Sequence, residues 1–152
     1  MYEIERKFLV NKQKWTPVSP GVRMVQGYLS TDMERTIRVR IAGEKAFLTI
    51  KGKPVGIKRI EMEYEIPVSE AEVLLKMSKD VPVEKIRYLE NRGDVTWEID
   101  YFEGENSGLL LAEVELKTEN QKINLPDWIE KEVSDDARYF NSYLTQHPFI
   151  TW

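Results

Sequence analysis

Three charged residues within the first seven positions could do chemistry together. Alternation in an extended Met1–Val10 places Glu3, Glu5 and Lys7 on one face, with Ile4 and Phe8 on the other. The pattern recurs along the chain. Arg38 and Arg40 share a face, as do Thr49 and Lys51, then Arg59, Glu61, Glu63 and Glu65, then Lys85 and Arg87, then Glu98 and Asp100, and finally Glu113, Glu115 and Lys117. One such strand is an ordinary half-wet strand, but nearly every strand supplies a pair. Guanidinium forks and ammonium groups suit phosphate oxygens, and carboxylates suit hard divalent cations that bridge to those oxygens. The two charge sets jointly point to a metal-dependent polyphosphate site.

Period-two segments that could position these residues run over Val22–Leu29, Thr36–Ile41, Ala46–Lys51, Lys58–Pro67, Val83–Leu89, Val95–Phe102 and Leu109–Lys117. With the opening strand that makes about eight. Gly43-Glu44 and Asn91-Arg-Gly-Asp94 are turns, and Gly52–Gly56 is a glycine-rich loop. Asn11–Gly21 reads as a proline-punctuated connection with one helical turn around Trp15. Ser69-Glu-Ala-Glu72 fits a capping box, so a helix is predicted from Ser69 through Met77, stopping near Asp80–Pro82. Thr118–Gln121 is a second possible cap. A short helical piece is expected from Pro126, and a helix capped by Ser134 from Asp135 through Leu144. Periodicity alone permits two architectures: an open antiparallel sheet with its charges in water, or a barrel with its charges inside and apolar residues outside.

Composition narrows the functional classes. The 152 residues, 41% hydrophobic and 11% aromatic, suit a single domain over 1–152. A net charge of −4 and a pI near 5.2 give no general reason to expect nucleic-acid binding. There is no cysteine, which excludes disulfides, thiolate metal sites and a cysteine nucleophile. No apolar run approaches a membrane span, and the expectation is a soluble, cytoplasmic protein acting on a small molecule as a monomer or homodimer. His147 has no partner at metal-ligand spacing, and the four tryptophans are expected to pack rather than stack on bases.

The motifs, taken in order, resemble the CYTH family of triphosphate tunnel metalloenzymes. They are Glu3-Ile-Glu5-Arg-Lys7, Gln26-Gly-Tyr-Leu29, Arg38-Val-Arg40, Thr49-Ile-Lys51-Gly, Arg59-Ile-Glu61-Met-Glu63-Tyr-Glu65, Glu84-Lys85-Ile-Arg87-Tyr88, Glu98-Ile-Asp100, Ala112-Glu113-Val-Glu115 and Glu132-Val-Ser134-x-Asp136-x-Arg138-Tyr139. The resemblance spans the chain and implies a mainly β (α+β) fold: a closed eight-stranded antiparallel barrel forming a charged tunnel, with a few flanking helices. It implies phosphate binding by Lys7, Arg38, Arg40, Lys51, Arg59, Lys85 and Arg87. It implies a metal-related acidic set of Glu3, Glu5, Glu61, Glu63, Glu98, Asp100, Glu113 and Glu115, with Glu3, Glu5, Glu113 and Glu115 favoured as direct ligands of Mg²⁺ or Mn²⁺.

The activity implied is hydrolysis of inorganic triphosphate, with nucleoside triphosphates as possible secondary substrates. Class IV-type adenylate cyclase and a non-catalytic polyphosphate binder are the alternatives. Two accounts of the base stay open: a Tyr28–Lys85 dyad, or water activated by a second metal. Ser134 stands where threonine is commoner in the family, and Glu130 and Asp135 where glycine is frequent.

Overall fold

The computed structural model describes all of residues 1–152. Its strands are β1 (Tyr2–Val10), β2 (Val22–Ser30), β3 (Arg35–Ala42), β4 (Lys45–Gly52), β5 (Lys58–Ile66), β6 (Val83–Arg92), β7 (Val95–Glu103), β8 (Leu110–Glu115) and β9 (Ile129–Glu132). Every pairing is antiparallel. The order β5-β4-β3-β2-β6-β7-β8-β1 closes on itself through a β5–β1 pairing, which makes an eight-stranded barrel. The alternation is therefore resolved in favour of the closed barrel.

β1 is the seam. Tyr2–Ile4 pair with β5, Glu5–Leu9 pair with β8, and Phe8–Val10 pair with the additional strand β9. Between β5 and β9 that edge is held by Glu5 N–H to Ile57 O at 3.1 Å and by Val133 N–H to Lys7 O at 2.8 Å. The first strand can thus leave β5 without stranding its backbone groups.

The apolar residues opposite the charges form an external core. Phe8 and Val10, Trp97 and Ile99, and Leu110, Ala112 and Val114 are buried under Trp128, with Trp15 packed at their margin. Phe8 meets Trp97 edge-on at 5.5 Å and Trp97 meets Trp128 at 5.4 Å, an arrangement favoured by ring quadrupoles. On the other side α1 (Val68–Met77) lays Ala71, Leu74 and Leu75 over Val39, Ala46, Ile41 and Ile66, at helical spacing. Gly27 makes this contact possible: a Cβ there would come within 2.9 Å of Ser78 Oγ and 3.1 Å of Leu75 Cδ2.

Three helix expectations need correction. α1 begins at Val68 behind Pro67 and no side chain caps it; the Pro67 carbonyl accepts from the N–H groups of Glu70 and Ala71, so Ser69 lies inside the first turn. Pro126–Trp128 turns directly into β9, because this segment covers the seam of β1 and pairs with it. The helix expected over Asp135–Leu144 is instead a 3-10 turn (Ala137–Tyr139) and a four-residue α2 (Asn141–Leu144). Asp136 caps the 3-10 turn through Arg138 N–H, whereas Ser134 Oγ accepts from Lys7 N–H and ties the segment to β1. Thr118–Gln121 forms a turn in which Gln121 Oε1 accepts from Lys117 N–H.

That C-terminal segment closes one end of the barrel. Two positions beyond the charged residues, the same inward faces become apolar: Leu9 after Lys7, Phe102 after Asp100, Val83 before Lys85 and Leu111 before Glu113. They cluster with Val133 and Leu144, and Tyr139 and Phe149 pack against them. The interior is therefore a cup with an apolar floor.

Candidate active site

A cavity of about 270 Å³ occupies the barrel, lined by Glu3, Glu5, Lys7, Tyr28, Arg38, Arg40, Lys51, Arg59, Glu61, Glu63, Lys85, Arg87, Glu98, Glu113 and Glu115. Thr36, the loop residues Pro54, Gly56 and Ile57, and Ser134, Phe140, Asn141 and Ser142 complete the wall. All seven expected phosphate-binding residues face it, as do seven of the eight expected acidic residues. Asp100 is the exception: it is wholly buried beneath Lys85 and Arg87.

The cations differ in how far they are already engaged. Arg87 forks onto Asp100 at 2.8 Å through both Nε and Nη2, and reaches Glu98 at 2.6 Å. Burial would lower its pKa, but Asp100 outweighs burial and raises it. Asp100 is likewise pushed up by burial, and Arg87 and Lys85 hold it below the usual carboxylate value. Lys85 donates to Asp100 Oδ2 at 2.7 Å and to Asn141 Oδ1 at 3.0 Å. Burial wins at Lys85: its pKa falls to about 8 despite Asp100, helped by the positive Arg87. Lys51 is held by Glu3 at 3.0 Å and Glu61 at 3.2 Å, and Glu3 raises its pKa against burial. Lys7 donates to Tyr139 O at 3.1 Å and lies 3.6 Å from Glu113.

Arg38 and Arg40 are under-used. Arg38 donates to Thr49 Oγ1 at 3.1 Å and to Glu63 at 3.4 Å, while Arg40 comes no nearer than 3.7 Å to Glu63. Both Nε–H groups are buried without an acceptor. Burial, together with Arg38 and Arg87, pushes the Arg40 pKa down to about 10. Crowded guanidinium groups with unspent donors beside a cavity have the chemistry to suit an anion.

The carboxylates divide too. Glu5, Glu98 and Glu113 bring oxygens within 4.8 Å of one another. Burial, Glu113 and Glu3 raise the Glu5 pKa well above normal; Glu113 is lowered, because Lys7 and Arg87 outweigh its burial, and it is hydrogen-bonded to Glu5. Glu5, Glu98 and Glu113 thus crowd three hard oxygen donors together, an arrangement that fits a divalent cation. The trio includes Glu98, whereas Glu3 is engaged with Lys51 and Glu115 is exposed at the mouth.

Tyr28 and Lys85 line the same cavity without touching. Gln26 Nε2 donates to Tyr28 Oη and to Asn141 Oδ1, each at 3.1 Å, so two amides connect the pair. Gln26 stands two positions from Tyr28 on the inward face of β2 and could have been found by alternation. Asn141, in the irregular floor, carries no such signal. Of the residues set aside, Trp15, Trp97 and Trp128 pack, and exposed His147 stacks on Tyr143 at 4.2 Å.

The profile of the CYTH domain matches residues 1–142. This chain belongs to the CYTH family. A protein of Acetivibrio thermocellus named inorganic triphosphatase is 46% identical over 148 residues, covering 97% of this chain and 95% of that one. A Nitrosomonas europaea protein of the same name is 38% identical over 148 residues, covering 95% and 97%. The crystal structure of the inorganic triphosphatase NE1496 superposes with a TM-score of 0.67 at 36% identity, covering 94% of this chain and 93% of the other. A Hippeastrum protein, described as a putative adenylyl cyclase with dominant triphosphatase activity, shares the fold at 14% identity, with a TM-score of 0.59. Membership of this metalloenzyme family implies a divalent metal, in keeping with the acidic trio.

Proposed function

We propose that this CYTH protein hydrolyses inorganic triphosphate to orthophosphate and diphosphate, with Mg²⁺ or Mn²⁺ held by Glu5, Glu98 and Glu113. The observation that carries the proposal is the juxtaposition of buried, unspent Arg38 and Arg40 donors with that carboxylate trio in one cup. The names of the two relatives, each matching at least 95% of this chain, support it. In the reaction a water oxygen bonds to the terminal phosphorus, and the bridging P–O bond breaks. The electron pair leaves with diphosphate, and the water's proton passes to a base. Held by Glu5, Glu98 and Glu113, a divalent cation would supply positive charge to offset the charge developing on the leaving diphosphate.

Arg38 and Arg40 hold phosphoryl oxygens, Glu63 and Thr49 orient them, and Lys51 and Arg59 take the part of the substrate nearer the mouth. Tyr28 Oη receives the proton. No facing pair of aromatic rings lines the cavity to grip a base, and Phe140 already lies beneath Lys7 at 5.6 Å, which favours an inorganic substrate. The same reading takes residues 1–152 as one catalytic unit, working in the cytoplasm as a monomer or homodimer without nucleic acid or membrane.

The test offers tripolyphosphate, ATP and thiamine triphosphate separately with Mg²⁺ or Mn²⁺ and identifies the products. Orthophosphate should appear fastest from tripolyphosphate. Cyclic AMP and diphosphate from ATP would establish a cyclase instead, and tight binding without products a binding module.

A further inference from the structure

Asn141 opens α2, in the segment that floors the barrel, and its side-chain oxygen accepts two hydrogen bonds. One comes from Lys85 Nζ at 3.0 Å and the other from Gln26 Nε2 at 3.1 Å. An ammonium can only donate, so the Asn141 atom facing Lys85 has to be the carbonyl oxygen. That orientation dictates the next. Gln26 must present its NH₂, since its own carbonyl in that place would meet another carbonyl oxygen.

Gln26 then spends its remaining N–H on Tyr28 Oη, also at 3.1 Å. Its carbonyl oxygen is left fully buried without a partner. A flipped amide would remedy this by accepting the Tyr28 hydroxyl hydrogen. The contact with Asn141 forbids the flip.

We propose that Asn141 and Gln26 are positioning residues, a two-amide relay that carries the donor polarity of Lys85 to Tyr28 and makes the Tyr28 oxygen a hydrogen-bond acceptor. With Gln26 donating to that oxygen, the hydroxyl hydrogen of the phenol stays uncommitted within the relay. Lys85 thereby prepares Tyr28 without contacting it, and the C-terminal floor becomes part of the base's environment. The inference rests on the reading that Tyr28 takes the water's proton.

The experiment compares kcat and KM for tripolyphosphate at saturating Mg²⁺. Asn141→Leu removes the acceptor at similar volume, and should lower kcat roughly 10- to 100-fold with little change in KM. In a Tyr28→Phe background the same substitution should cost less than about twofold, because the relay then has nothing to act on. Asn141→Asp keeps an acceptor oxygen and should hold kcat within about threefold while its added charge raises KM. Gln26→Glu cannot donate to Tyr28 and should match the loss in Asn141→Leu, so the test survives if one variant fails to fold.

Equal cost of Asn141→Leu in the two backgrounds overturns the relay, as does loss of kcat in Asn141→Asp as large as in Asn141→Leu, or wild-type kcat in Gln26→Glu. Full kcat in Tyr28→Phe alone would instead bring down the reading of Tyr28 as base, a separate and recognisable result.

Discussion

Arg40 illustrates how single residues in this cup are held short of satisfaction. Its guanidinium has no hydrogen bond to Glu63, 3.7 Å away, and burial beside Arg38 and Arg87 depresses its pKa to about 10. A bound anion would relieve both conditions. Hydrogen bonds to charged groups contribute about 1.5–3 kcal/mol, so Arg40→Ala should raise KM for tripolyphosphate roughly 10- to 100-fold. Unchanged steady-state constants would exclude contact with substrate.

Lys85 makes a second residue-scale case. Because burial lowers its pKa to about 8 from an ordinary 10.5, its Nζ should titrate near pH 8 in lysine side-chain NMR, and tripolyphosphate should move the transition upward. The linkage has a definite sign. Between about 8 and 10.5 the unfolded chain binds more protons at this lysine than the folded one, so this group's unfavourable contribution is complete below pH 8 and is relieved as pH rises through that window. A lysine titrating near 10.5 in the free protein would contradict the burial argument. Among the carboxylates, Glu113→Gln should cost at least about 100-fold in kcat, and Glu115→Gln at the mouth distinctly less. The reverse order would move the metal site outward.

At the scale of elements, two contacts decide whether the charged faces become a cup. α1 lies on the outer face of β2–β4 only because Gly27 has no side chain, between inward-facing Gln26 and Tyr28. Gly27→Ala should therefore lower stability by about 1–3 kcal/mol in denaturant melts, through overpacking against Leu75 and Ser78. At the floor, wholly buried Leu144 plugs the apolar end, and Leu144→Ala should cost about 2–5 kcal/mol. Melts indistinguishable from wild type would mean that these contacts do not hold the elements in place.

The strands were legible in the sequence because a period of two is imposed by the backbone and each of these faces is chemically uniform. Even the floor could have been anticipated, by following each inward face two positions past its charge to Leu9, Val83, Phe102 and Leu111. The C-terminal segment could not. Its path is set by pairing with β1 and by covering the barrel end, both tertiary, so the local signals at Pro126 and Ser134 misled, and Asn141 had no pattern to reveal it.

Across the whole molecule, charge balance inside the barrel explains how a protein of net charge −4 can present an anion site. Seven cationic and seven acidic side chains line the cavity, and the structure sorts them into engaged pairs, an under-used arginine pair and a carboxylate trio. Closure of the barrel, which alternation permitted and the motif resemblance implied, is what turns separate strand faces into one site. No helix is long and apolar enough to cross a membrane. The most direct test of the central claim is orthophosphate release from tripolyphosphate by the wild-type protein with Mg²⁺, and again after the metal is chelated. Turnover should require the metal and be lost on chelation, with Glu113→Gln reproducing the loss. Undiminished release in the chelated sample would contradict the assignment of the trio, and no release under either condition would contradict the hydrolase itself.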